Sequence, residues 1–286
     1  MEDGDFNINL TIVGLGLIGG SYAKAFKEKN KGHIWGIDVD KNTLKKAAEM
    51  NIIDDGYSIE NAQIPLEKSD VVVIAIYPEA LLNFIRSNLN NFKKGAIITD
   101  TLGIKEHNIK YIQSILGDKA EFIGGHPMAG KEVSGFLNAS KEIFEDANYI
   151  LTPTAKNKKE TTDFMRKFIK SIGFKSIVEV TPEKHDEIIA FTSQLPHIMA
   201  VSLMNLSNCE DIKYFIGGSF RDTTRVAAIN SDLWCQLFIR NKKNIIKCID
   251  DFQKNMTKIR NYIEKEDIND IKKFLKEAAS KKEEII

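Results

Sequence analysis

The stretch L-T-I-V-G-L-G-L-I-G-G-S-Y-A-K-A-F-K, Leu10 to Lys27, decides how this chain is read. A short β-prone run enters a cluster of glycines, and the glycines open into a helix-prone segment. That is the order strand, tight turn, helix. Gly14, Gly16 and Gly19 have the spacing G-x-G-x-x-G. In that pattern the first glycine allows the turn, the second lets a pyrophosphate approach the backbone, and the third lets the helix pack closely on the sheet. The start of the helix then presents unpaired N–H groups to phosphate. Three glycines alone say little. Here they follow a strand, open a helix, and are followed 24 residues after Gly14 by Asp38, which is the confirming context. A carboxylate at Asp38 accepts ribose hydroxyls and repels a 2′-phosphate, so NAD is expected rather than NADP. Lys41 nearby is the opposing feature. The cofactor candidates are Gly14, Leu15, Gly16, Leu17, Ile18, Gly19 and Asp38, with Ile76 and Thr101 farther along the chain.

Outward from this unit the rhythm repeats. Residues 33–38 read as a second strand, and Asp40 or Asn42 caps the helix after it. Asp70 precedes V-V-V-I-A-I, a continuous apolar run that suits a parallel strand covered on both faces. Pro78 sits where a helix starts. Further strands are expected at 96–99, 121–124, 148–151 and near 177–180, with a polar helix over about 158–172. Strands alternating with helices imply an α/β fold, a Rossmann-like doubly wound parallel sheet. The rhythm stops at Thr181-Pro182. Residues 183–207 read as a helix kinked at Pro196. Ser231-Asp232 caps another, whose apolar stripe runs Trp234, Phe238, Ile245, Ile249, Phe252, Met256, Ile259 and Ile263. One helix carrying that stripe is roughly 45 Å long, more than a small domain covers. Part of it is expected to pack on a second chain; the alternative is a stripe covered within the monomer. The charged tail, 266–286, reads as an amphipathic helix. The expected division is an NAD-binding domain over 1–180 and an all-α dimerisation and substrate domain over 181–286.

Composition agrees with two domains in 286 residues. Forty basic against forty acidic residues leave no net charge, which argues against a nucleic-acid binder. No apolar run approaches the roughly 18 residues of a membrane span, and Met1 to Asp5 is acidic, unlike a signal peptide. Cys209, Cys235 and Cys248 form no C-x-x-C pair and suit reduced thiols. A cytoplasmic location is expected. The histidines are too scattered to suggest a metal site.

Two runs carry the chemistry. G-G-H-P-M-A-G, Gly124 to Gly130, places His126 at the carboxyl edge of the sheet, where open α/β sheets bind ligands. His126 is the candidate general base, because an imidazole is mostly neutral near pH 7. Glu132 follows it as a residue that orients a cation or gates the pocket. G-G-S-F-R-D-T-T-R, Gly217 to Arg225, suggests an anion pocket, since arginine forks onto a carboxylate. One of its two arginines serves as a surface or interdomain ion pair. His197, after Pro196, is a third candidate.

With these runs on the page the chain resembles the prephenate/arogenate dehydrogenase family of tyrosine biosynthesis. The resemblance rests on G-L-G-L-I-G-G, on T-D-T-L-G-I-K from Thr99, and on G-G-H-P-M-A-G-K-E-V-S-G from Gly124. It continues through T-S-Q-L-P-H from Thr192, G-G-S-F-R-D-T-T-R, and D-L-W from Asp232. It covers nearly the whole chain. It implies a Rossmann-like domain followed by a helical domain that forms a homodimer, and NAD-dependent oxidative decarboxylation of prephenate. It implies that His126 bonds the substrate's 4-hydroxyl and Arg225 a substrate carboxylate. His197 and Glu132 match other pocket positions, and Asp222 one that supports the arginine.

The chain also departs from the family. Gly103 stands where a serine is common, so Thr101, a backbone N–H or water takes over that contact, or it is absent. Gln194 stands where a histidine is frequent, and Lys131 where smaller residues are usual. Lys131 leans toward the more anionic keto acid rather than arogenate. The motifs near the reacting carbon do not separate those two substrates. A β-hydroxyacid dehydrogenase would want a catalytic lysine on a glycine-rich helix of the second domain, which is not found. A non-catalytic NAD sensor would not need His126 and Arg225 together. From the length, no fused regulatory or mutase domain is expected. If Asp38 selects the cofactor, kcat/KM is higher with NAD⁺ than with NADP⁺, and Asp38→Ala narrows the ratio. A preference for NADP⁺ would sink this reading.

Overall fold

The computed structural model describes residues 6–131, 133–206 and 210–285. Eight strands form one sheet: β1 (Leu10–Val13), β2 (Ile34–Ile37), β3 (Asp55–Tyr57), β4 (Val71–Ile74), β5 (Ile97–Asp100), β6 (Glu121–Pro127), β7 (Asn148–Thr152) and β8 (Ser176–Glu179). Their order is β3-β2-β1-β4-β5-β6-β7-β8. The first six run parallel. Around them lie α1 (Leu17–Lys27), α2 (Lys41–Glu49), α3 (Gln63–Leu66), α4 (Pro78–Ser87), α5 (Glu106–Leu116) and α6 (Lys159–Ser171). This is the Rossmann-like α/β architecture expected from the glycine-led unit.

Side-chain alternation explains the continuous apolar run. Val71 and Val73 enter one core with Leu10, Ile12, Phe26 and Phe168. Val72 and Ile74 enter the other with Val13, Ile37, Leu81 and Ile98. A strand buried on both faces leaves no polar position to break the run. Asp40 caps α2, its side chain accepting the Asn42 N–H. Pro78 is the first residue of α4.

Two features of the sheet differ from the sequence reading. β3 was not expected. It has three residues, D-G-Y, pairs only with β2, and lies at the edge, so it carries no apolar pattern. β7 runs antiparallel to β6, and only β8 restores a parallel pair. A parallel neighbour needs a crossover, usually a helix. Among its described residues, the link from β6 to β7 contains only two short 3₁₀ turns, Phe136–Asn138 and Lys141–Phe144.

No strand follows β8 among the described residues. Thr181 caps α7 (Pro182–Ile189) by accepting the Lys184 N–H. A π-helical turn, Ala190–Gln194, then leads into α8 (Leu195–Asn205). The expected irregularity at Pro196 is this wide turn: the Leu195 N–H reaches back to Ala190 O just ahead of the proline, which has no N–H to give. Next come α9 (Gly218–Thr224), a 3₁₀ turn at Arg225–Ala227, α10 (Ser231–Arg240), α11 (Lys242–Glu264) and α12 (Ile268–Ile285). The single long helix expected from the stripe is therefore two, broken at Asn241 (φ −112°, ψ 20°). The cap of α10 is Asn230, accepting the Leu233 N–H, rather than Ser231 or Asp232. Leu233, Trp234 and Leu237 pack against the second sheet core. Farther along, Met256 and Ile263 are each more than half exposed, so one chain does not cover the whole stripe.

Gly19 shows how tightly the glycine unit is built. A Cβ added there would stand 1.9 Å from Gly14 O. Gly19→Ala is expected to lower stability by about 1–3 kcal/mol through overpacking, read from urea unfolding midpoints. Unchanged midpoints would mean that α1 shifts freely against the turn.

Candidate active site

Gly14 adopts φ +87°, and a Cβ there would meet Ile76 Cγ2 at 2.5 Å and Ala75 O at 2.6 Å. A Cβ on Gly16 would meet nothing within 4 Å. The turn is thus closed at Gly14 and Gly19 and open at Gly16, the side from which a pyrophosphate approaches the start of α1. No side chain caps α1, so its first N–H groups are left for such a ligand. Asp38, just past β2, accepts the N–H of Leu15 at 2.6 Å and of Asp40 at 2.9 Å. Its oxygens retain lone pairs for ribose hydroxyls. Leu15 is buried, Leu17, Ile18 and Ile76 are half-buried, and Ile76 follows β4 on the same sheet edge. These residues fit an NAD molecule laid across the carboxyl ends of the strands.

His126 lies near the end of β6, level with Ile150 of β7, and is half-buried. A Cβ added at Gly103 would stand 3.6 Å from its Cε1 and 3.7 Å from its Nε2. The Nε2 edge therefore faces the loop after β5, and glycine leaves that edge uncovered. His126 Nδ1 lies 2.9 Å from His185 Nε2. His185 Nδ1 lies 2.7 Å from Asp186 Oδ1. Asp186 also accepts the backbone N–H of Lys105 at 2.8 Å and of Glu106 at 2.9 Å. Burial pushes the His126 imidazole well below its ordinary value, with His185 and the Lys105 ammonium adding to the effect. Burial lowers His185 too, while Asp186 opposes.

Beneath this chain is a buried ion pair. Lys105 Nζ donates to Asp100 Oδ2 at 2.6 Å, and neither side chain is more than 1% exposed. Asp100 also accepts the Gly125 N–H at 3.1 Å, next to His126. Desolvation lowers the Lys105 ammonium, and the Asp100 charge resists that. On the other side, Asn241 Nδ2 donates to Asp186 O at 2.9 Å and to Gln194 Oε1 at 2.7 Å.

The helical half assembles a second group. His197 Nδ1 donates to Ser193 O at 2.8 Å, four residues back. Its ring stacks on Trp234, centroids 3.9 Å apart and planes 32° apart. Burial lowers its pKa, and the nearby Arg225 charge lowers it further. Arg225 is exposed in the turn after α9, and Asp222 is exposed on α9. Gln194 is 1% exposed and bonded to Asn241, so it belongs to the polar bed behind Asp186. Lys131 is exposed on the link after β6, where its charge acts on Glu142. Thr101 is half-buried just after β5. Glu132 and Cys209 lie outside the described residues.

The structure thus joins His126 to α7, and α7 runs through the π-helical turn into the helix bearing His197. Sequence reasoning missed His185, Asp186, Lys105 and Asn241. Lys105 ended a run already singled out, T-D-T-L-G-I-K. His185 and Asp186 are a plain dipeptide 59 residues from His126, with no local signal.

Two family models match the chain. One described as prephenate dehydrogenase, nucleotide-binding domain, matches residues 22–178, and one described as prephenate dehydrogenase, dimerization domain, matches 181–277. Prephenate dehydrogenase of Bacillus subtilis is 32% identical over 276 residues, 94% of this chain and 74% of that one. Cyclohexadienyl dehydrogenase of Zymomonas mobilis is 29% identical over 277 residues, 94% of this chain and 93% of that one. The crystal structure of prephenate dehydrogenase from A. aeolicus, in complex with hydroxyphenyl propionate and NAD⁺, superposes with a TM-score of 0.90 at 31% identity, covering 98% of each chain.

The two depressed histidines give a pH dependence. Folded, both stay neutral below the roughly 6.5 at which the unfolded chain takes up protons. Their contribution to stability is complete above that pH and is lost as pH falls toward the folded values, at most about 1.4 kcal/mol per histidine per pH unit. Urea midpoints are expected to fall between pH 7.5 and 5.5, and His126→Asn to flatten the slope. An identical slope in that variant would show that His126 is not held neutral.

Proposed function

The chain belongs to the prephenate dehydrogenase family, and on that premise we propose that its residues carry out the NAD-dependent oxidation and decarboxylation of prephenate to 4-hydroxyphenylpyruvate. Bound NAD⁺ supplies the acceptor for the hydride that leaves C4 of the ring. His126 Nε2 takes the proton of the 4-hydroxyl as that hydride leaves. The carbonyl formed at C4 draws electrons through the ring, the bond from C1 to its carboxylate breaks, and CO₂ departs as the ring becomes aromatic. The proton on His126 then returns to the same oxygen, now a phenolate. No net proton is released, so a base enclosed by protein is sufficient.

The observation that carries this reading is the His126 ring at the cofactor edge of β6, its Nε2 edge turned to Gly103 and uncovered. The glycine turn and Asp38 hold the dinucleotide, while Ile76 and Thr101 border the same edge. Arg225 stands near enough to His197 on the helical half for its charge to act on that ring, and its guanidinium binds a carboxylate of the substrate. Asp222, exposed on α9 one turn before Arg225, is assigned the supporting role that the family resemblance implies. Holding the carboxylate at Arg225 while His126 bonds the 4-hydroxyl would align C4 with the cofactor. Asp38 favours NAD over NADP.

We also propose a homodimer through the helical half. The dimerization-domain match over residues 181–277 and the exposed apolar residues of α11 and α12, Met256, Ile263, Ile268 and Leu275, support it. Among the described residues no helix is long and apolar enough to cross a membrane. Cys235 and Cys248 are free thiols, which supports the proposed cytoplasmic location.

The test is absorbance at 340 nm with prephenate or arogenate and NAD⁺. Turnover of prephenate is expected to exceed that of arogenate. His126→Asn is expected to lower kcat by about 10²–10⁴-fold, and Arg225→Ala chiefly to raise KM. Near-normal turnover by the first variant removes His126 from the role. Unchanged substrate affinity in the second places the anion site elsewhere.

A further inference from the structure

We propose that His185 and Asp186 are positioning residues that fix the tautomer of His126, placing its one proton on Nδ1 and leaving Nε2 bare toward the substrate. The proposal rests on the reading of His126 as acceptor of the substrate hydroxyl proton.

The assignment follows by elimination. Each Asp186 oxygen already accepts a backbone N–H, from Lys105 and from Glu106. The carboxylate is thus an acceptor, and His185 Nδ1, 2.7 Å from Oδ1, must be the donor. A neutral imidazole carries one N–H, so His185 Nε2 is an acceptor. The nitrogen 2.9 Å away, His126 Nδ1, must then donate. His126 has no second proton, and Nε2 keeps its lone pair on the edge facing Gly103. Left to itself an imidazole divides its proton between the two nitrogens, and one of those forms cannot act as the base.

The surroundings keep both rings neutral, as the elimination requires. Asp186 on α7, Lys105 ahead of α5 and Asp100 at the end of β5 are the charged groups that act on the pair. Lys105 is paired with Asp100 rather than with either imidazole. Asn241, in the break between α10 and α11, holds the Asp186 carbonyl without adding charge. Because the proton returns to the substrate oxygen, the chain need not conduct it to solvent. Its end at a carboxylate pinned by two backbone N–H groups suits an orienting role.

The experiment uses the full chain with His185→Leu and His185→Gln. Leucine removes the acceptor for His126 Nδ1–H, and a glutamine amide oxygen restores one. His185→Leu is expected to lower kcat by about 10²–10³-fold with KM changed by less than about threefold. His185→Gln is expected to recover at least a tenth of the original kcat. In ¹⁵N spectra of the unmodified protein at neutral pH, with His126 assigned from its His126→Asn variant, Nε2 should resonate as a bare nitrogen. A protonated Nε2 there overturns the proposal. So does unchanged kcat in the leucine variant, or a glutamine variant no faster than leucine. If the unmodified chain oxidises no prephenate, the substrate reading falls and the nitrogen spectrum alone decides the tautomer.

Discussion

Asp186 stands on the first helix of the helical half, yet both its oxygens accept N–H groups at the start of α5 in the sheet half. It also faces His185, which faces His126. One carboxylate therefore ties the two halves together and backs the pair of histidines that ends at His126. The start of α5 is a favourable place for a negative group, because its first N–H groups lack helical partners. Without that anchor, α7 would lose its carboxylate bonds to Lys105 and Glu106, and the histidine pair would lose its backing.

The ion pair under the site is not there for stability alone. Burying Lys105 and Asp100 removes both from water, a penalty that mutual attraction often fails to offset. What it secures is position. Asp100 receives the Gly125 N–H, one residue before His126, and Leu102 N–H as well, one residue before Gly103. The pair thus sets the spacing between the strand that carries His126 and the loop that faces it. Its net neutrality also keeps a strong uncompensated charge away from the imidazoles.

The fold was legible where the signal is local. The glycine turn, the twice-buried run at β4 and the cap at Asp40 all act within a few residues. β3 was not legible, because an edge strand of three residues containing glycine has no alternation to read. The direction of β7 depended on a missing crossover helix, a feature of the link rather than of the strand. The break at Asn241 was hidden because the apolar stripe keeps its period across it. In the site, His126 stood out through its glycine and proline neighbours. His185 and Asp186 did not, since their role arises only when α7 packs beside β6. Gln194, read as a pocket residue from a family position, accepts a bond from Asn241 at the back of the network.

Asn241 has one more consequence. It looks like a joint between two helices, the kind of place where chains ordinarily gain or lose residues without harm. Its amide, however, holds Asp186 O and Gln194 Oε1 at once. Inserting or deleting a single residue there would rotate α11 by about 100° and carry the amide away from both. Length variation among natural descendants of this chain should therefore collect in the outer connections, and this joint should keep its residue count even where its neighbours drift.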